Sequence, residues 1–197
     1  MSGSSNLFSN SRFEAFSDGV LAVIITIMVL DLKAPRSAEP LALAKLWPSF
    51  AIYLVSFFLV MVYWINHHGL VMQSRRITSG LQWANGAVLF STSLIPFATA
   101  YVSETHLAPF PTAVYAGLQC LCGITFTVMF RLIEKQRDDK AFRQIAIIQR
   151  RWNLVAVTVY AASAVVALFS PIIATALFSV ISLAYVVPRF PERRADT

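Results

Sequence analysis

Apolar stretches long enough to cross a bilayer alternate along this chain with short polar connections. Six runs carry the pattern, at residues 13–32, 43–66, 81–102, 112–132, 152–169 and 172–187. A hydrocarbon core about 30 Å thick takes roughly 20 apolar residues as a helix, so six transmembrane helices are expected. Pro48 and Pro96 fall inside the second and third runs, and each is expected to mark a kink or a late helix start. Only Ser170 and Pro171 separate the last two runs, which reads as a tight helical hairpin. The stretch 133–150, IEKQRDDKAFRQIAIIQR, alternates its charges and is expected to be a cytoplasmic helical linker facing solvent or headgroups. No repeat relates the two halves, which gives little support to an inverted-repeat transporter.

Composition turns this pattern into a class. The 197 residues are 57% hydrophobic and 13% charged, against about 45–50% and 25% in soluble domains. Residues 1–197 are therefore read as a single all-α integral-membrane domain. The first ten residues are polar, and the first run reaches spanning length without a small-residue cleavage site. It is expected to be a retained helix, not a signal peptide. Cys120 and Cys122 lie two apart in an apolar run, pointing to different faces of a helix, and are expected to be free buried thiols.

Charge gives the orientation. With six spans both termini share one side, together with the connections after the second and fourth runs. That side holds Arg12, Arg75, Arg76, Arg131, Lys135, Arg137, Lys140, Arg143, Arg150, Arg151, Arg189, Arg193 and Arg194, whereas the other holds Lys33, Arg36 and Lys45. The positive-inside rule puts both termini, and the tail at 189–197, in the cytoplasm. The net charge of +6 is thus a topology signal, and no nucleic-acid partner is expected.

Candidate chemistry is sparse. Ionisable groups deep in a span mark relays and substrate sites, but here Lys45 sits at an outer end and Asp18, His67 and His68 at inner ends. Gln119 is the single amide near a span centre. No G-x-S-x-G or H-E-x-x-H motif appears, so no enzyme is expected. The adjacent His67 and His68 point about 100° apart on a helix and cannot share one metal. A TVGYG-type potassium filter is absent as well.

The first run, RFEAFSDGVLAVIITIMVLDLKAP from Arg12 to Pro35, divides into faces. At about 100° per residue, Phe16, Gly19, Val20, Ile27, Leu30 and Ala34 fall within about 60° of Val23, with Thr26 at the sector's edge. Asp18 falls about 140° away, at the same depth as His67, His68 and Asn85. Two roles are open to it: a buried tie to His67 or His68 with Arg12 nearby, or, with Ser17, a helix-start cap. Asp31, just beyond Leu30, is either a cation-attracting charge at the outer mouth or a solvated helix-end charge.

The stretch RFEAFSDGV, Arg12 to Val20, resembles the R-x-x-x-F-S-D signature of the transmembrane protein 175 family, the lysosomal potassium channels and their prokaryotic relatives. The six runs agree with that family over essentially the whole chain, in its single-repeat prokaryotic form. The resemblance implies a homotetramer in the lipid bilayer of the cell membrane. It would be a potassium-favouring cation channel with K+ as permeant ion, no cofactor and no filter of the TVGYG kind. In the family, the first helices of four subunits line a central pore, and large aliphatic residues beyond the motif narrow it. Aligned on Asp18, those layers fall on Val23, Ile27 and Leu30, with Thr26 as the pore-proximal hydroxyl. Val23 stands where the family carries isoleucine, one methylene fewer per subunit. Rings of these residues are expected to form a dry hydrophobic gate. The resemblance also implies an inter-helix network of Arg12, Phe16, Ser17 and Asp18 with a histidine of the second run, His67 first and His68 second. A six-helix secondary transporter, or a non-conducting membrane assembly protein, is the competing expectation.

Overall fold

The computed structural model describes residues 4–186. The expected tail at 189–197, with Arg189, Arg193 and Arg194, lies outside the described residues. Eight helices follow one another among them: α1 Ser4–Leu30, α2 Pro40–Ala44, α3 Trp47–Val71, α4 Ser79–Ser93, α5 Ile95–Glu104, α6 Pro109–Glu134, α7 Lys140–Ala167 and α8 Pro171–Leu183. No strand occurs among the described residues, so the all-α class stands.

Helix starts follow from local chemistry. Pro40, Pro48, Pro96, Pro109 and Pro171 each sit in the first turn of a helix, where the fixed φ suits the helix and the missing N–H had no partner to lose. α4 and α7 start at side-chain caps instead. Thr78 Oγ1 accepts from the Leu81 N–H at 3.2 Å, and Asp139 Oδ1 from the Phe142 N–H at 2.9 Å. The Arg137 guanidinium beside Asp139, with that N–H, holds its carboxyl below the usual range.

Pro48 is thus a late start and Pro96 a break. The third expected span is two helices, α4 and α5, meeting at Leu94. Pro96 cannot donate to the carbonyl a turn earlier, and just before it the Ser91, Thr92 and Ser93 hydroxyls all bond back to carbonyls of their own helix, an arrangement that bends helices.

Four runs are long and apolar enough to cross a membrane: Ser11–Leu30, Trp47–Val71, Ser79–Glu104 and Pro109–Glu134. The remaining two expected spans come out differently. The stretch 133–150 is no separate linker, because α6 runs to Glu134, residues 135–139 connect, and α7 carries the charged 140–150 and the apolar 152–167 in one helix. The reason lies in a continuous seam. Phe142, Ala146, Gln149, Asn153, Ala156 and Tyr160 are all buried and recur every three or four residues, so the packed face passes Arg150 and Arg151 unbroken. α8 has 13 residues, about 20 Å of helix.

α1 packs on α3, α4 and α5, while α6 is central and touches α3, α4, α5, α7 and α8. Lipid tails are as apolar as leucine, so small residues and hydrogen bonds hold such bundles together. Ser56 lies 2.9 Å from the Tyr115 hydroxyl and accepts from Thr99 at 2.8 Å, and Gln119 accepts from the Tyr63 hydroxyl at 3.0 Å. Cys120 and Cys122 are both free thiols.

Candidate functional site

α1 buries one face and leaves the other open. Ser17, Leu21, Ile24 and Met28 recur at intervals of three and four and are all buried, the three apolar ones packed against Val60 of α3, Leu89 of α4 and Ile95 of α5. On the far side Phe16 is 65% exposed, Val23 54%, Ile27 47% and Leu30 76%. These values separate the faces cleanly, and the Val23 stripe is what the subunit's own helices do not cover. It forms one wall of an open groove whose other wall is Ser93 and Pro96, at the break between α4 and α5.

Thr26 is on the exposed side, and its hydroxyl donates to the Val23 carbonyl at 2.9 Å. The proton is thereby committed to the helix, and the oxygen keeps both lone pairs as acceptors. Asp31 is exposed just past the helix end, where the Asp31 and Leu32 N–H groups donate to the Met28 and Val29 carbonyls.

The polar end of α1 holds its neighbours through other partners than the expected ones. Asn85 Nδ2 donates to Ser17 Oγ at 2.9 Å, Ser17 Oγ donates to the Phe13 carbonyl at 3.0 Å, and His67 Nε2 is 2.7 Å from Asn85 Oδ1. An amide oxygen only accepts, so His67 carries its proton on Nε2. Ser17, Asn85 and His67 are all buried, and the chain links α1, α4 and α3. The expected direct tie from Asp18 to a histidine does not form. Asp18 Oδ1 instead accepts from the Trp64 indole N–H at 2.9 Å, one turn earlier on α3, while His68 is exposed.

Arg12 and Phe16 stand outside this buried chain. Arg12 is exposed, and eleven residues before Val23 it returns, after about three turns, to the stripe's side of α1. Phe16 lines the open groove and stays out of the polar chain. Sequence reasoning placed Asn85 at the right depth without giving it a role, and missed Trp64. Sequence offered one hint of Trp64, a donor-only side chain at the same depth as Asp18, but nothing that ranks it above the two histidines.

Comparison with known proteins adds to this geometry. The family model "Endosomal/lysosomal potassium channel TMEM175" matches residues 12–96, from the α1 motif to the α5 proline. A potassium channel of Chryseobacterium sp. is 33% identical over 180 residues, covering 91% of this chain and 94% of that one. The crystal structure of a lysosomal potassium-selective channel TMEM175 homolog from Chamaesiphon minutus superposes with a TM-score of 0.81 at 26% identity, covering 90% of this chain and 96% of that one. The human endosomal/lysosomal proton channel TMEM175 is 29% identical over 130 residues, 60% of this chain but 25% of the human protein. These relatives are ion channels, not enzymes. Similarity along nearly the whole of one relative, together with the motif and the fold, means that this chain belongs to the endosomal/lysosomal potassium channel TMEM175 family.

Proposed function

We propose that this chain is one subunit of a potassium-favouring cation channel, a homotetramer in the cell membrane with both termini in the cytoplasm. Each subunit crosses six times, with α4 and α5 as one crossing and α7 and α8 as the last two. The first helices surround a central axis. Rings of Val23, Ile27 and Leu30 form a hydrophobic constriction, Thr26 offers an oxygen beside passing ions, and Asp31 stands at the outer mouth. One observation carries this reading: the α1 stripe is open along its length while the opposite face is sealed by Ser17, Leu21, Ile24 and Met28. A dry aliphatic ring gates by dewetting and needs no filter of backbone carbonyls. Potassium is favoured over the proton because the relative matched along 94% of its length is named a potassium channel, whereas the proton-channel relative is matched over a quarter of its own.

Truncating a ring tests the proposal. In proteoliposomes with a potassium gradient, Val23→Ala and Leu30→Ala raise flux or lower potassium-over-sodium discrimination by roughly tenfold or more, the scale of about 1.4 kcal/mol in a barrier. Unchanged flux through correctly assembled variants removes α1 from the pore. Destabilisation without any change in flux is what a transporter or a non-conducting assembly protein would give.

A further inference from the structure

We propose that Lys33 and Glu104 set the charge of the outer mouth, Glu104 neutralising Lys33 so that Asp31 is left as the net charge presented to entering cations. This rests on the axial reading of α1. Beyond Leu30 the chain does not run off. The Asp31 and Leu32 N–H groups bond back to the Met28 and Val29 carbonyls, and the Lys33 N–H bonds to the Asp31 carbonyl, which curls both charged residues onto the end of α1. Glu104 is the last residue of α5, a helix packed against α1, and its carboxylate accepts a hydrogen bond from Lys33 Nζ. Two acids and one base therefore meet at a single helix end, among carbonyls that already carry partial negative charge.

The pair has a small structural role. Both side chains are mostly exposed, at 77% and 63%, and exposed ion pairs contribute little to stability. Glu104 and Asp31 nevertheless hold the Lys33 ammonium pKa above its usual value, and without Glu104 the Lys33 charge would offset that of Asp31 instead. Arg36, Glu39 and Lys45 follow on the connection through α2 and stay the same in every variant, a constant background against which the three residues at the helix end are varied. Asp31, Lys33 and Glu104 by themselves sum to one net negative charge per subunit. Glu104→Gln brings that to zero and Lys33→Gln to two negatives, while the double substitution restores one. A ring multiplies each change by the number of subunits.

Planar-bilayer recording reads this directly. Potassium current entering from the Lys33 side is measured at about 10 mM salt, where the Debye length is about 30 Å, and at about 1 M, where it is about 3 Å. At low salt Glu104→Gln lowers the current and Lys33→Gln raises it, each by about twofold or more. The double variant returns to the parent value, and high salt erases all differences. A purely structural clamp would make the two single substitutions act in the same direction, which overturns the proposal, as does a double variant that fails to recover. Val23→Ala, recorded alongside, separates the two levels. If it responds while the charge variants do not split, the mouth assignment alone fails. If it is silent, the axial reading fails and takes the mouth with it.

Discussion

Asn85 uses both ends of its amide at once, donating to Ser17 and accepting from His67, so this one side chain joins α1, α4 and α3. Asn85→Leu leaves the buried His67 Nε2–H without an acceptor, and an unsatisfied buried group costs about 1–3 kcal/mol. Asp18 is half-buried, and when Trp64→Phe removes its indole donor the carboxylate can still be hydrated. Unfolding by a denaturing detergent is therefore expected to show a loss of about 1–3 kcal/mol for Asn85→Leu and less than about 1 kcal/mol for Trp64→Phe. The reverse order would mean that the Asp18–Trp64 bond, and not the Ser17–Asn85–His67 chain, holds the N-terminal half of α1 to its neighbours. Sequence gave the depth of each of these residues but not how α3 is rotated about its axis. His67 and His68 differ by about 100° of rotation, and only packing decides which turns inward. The same limit hid the partner of Asp18, since depth admits both histidines and Trp64 equally.

At the scale of the helix, α6 and α7 show what periodicity can and cannot announce. The seam Phe142–Ala146–Gln149–Asn153 is visible in the sequence, but its charged exterior concealed that it continues the apolar run beyond it. Residues 133–150 thus read as a linker, although their inward face is packed. α6 answers this seam with Gly123, where an added Cβ would lie 3.1 Å from Val157 Cγ2 and 3.6 Å from the Tyr160 ring. Gly117, on the same helix, has nothing within 4 Å of such a Cβ. Gly123→Leu is expected to force the two helices apart and cost about 1–3 kcal/mol, whereas Gly117→Ala is neutral or slightly stabilising, since alanine is the better helix former. Equal midpoints for the two variants in a thermal melt would show that the α6–α7 contact is looser than its side-chain distances imply.

For the whole molecule, exposure alone says little, because the bilayer covers most apolar side chains that one subunit leaves bare. Phe50, Phe58, Phe90 and Val128 are about as exposed as Val23, and lipid is a sufficient explanation for each. The α1 stripe is set apart because it continues the motif carrying Ser17 and Asp18 and because the chain keeps it free of its own helices. Composition made the membrane class legible, and the charge bias carries the sidedness as an expectation only. Subunit number was not legible, since no residue pattern within one chain counts its copies, and it entered through the resemblance alone. Disulfide trapping can do the counting. In a background where Cys120 and Cys122 are replaced by alanine, the proposed ring would bring Val23→Cys against its own copies, so mild oxidation is expected to give linked dimers within a complex whose native mass is four subunits. Leu21→Cys, sealed inside its own subunit, is expected to stay monomeric on a denaturing gel under the same oxidation. Cross-linking at Leu21 and not at Val23 would turn α1 around and put the Val23 stripe against lipid, and a complex of two subunits would leave too few first helices to enclose an axial pore.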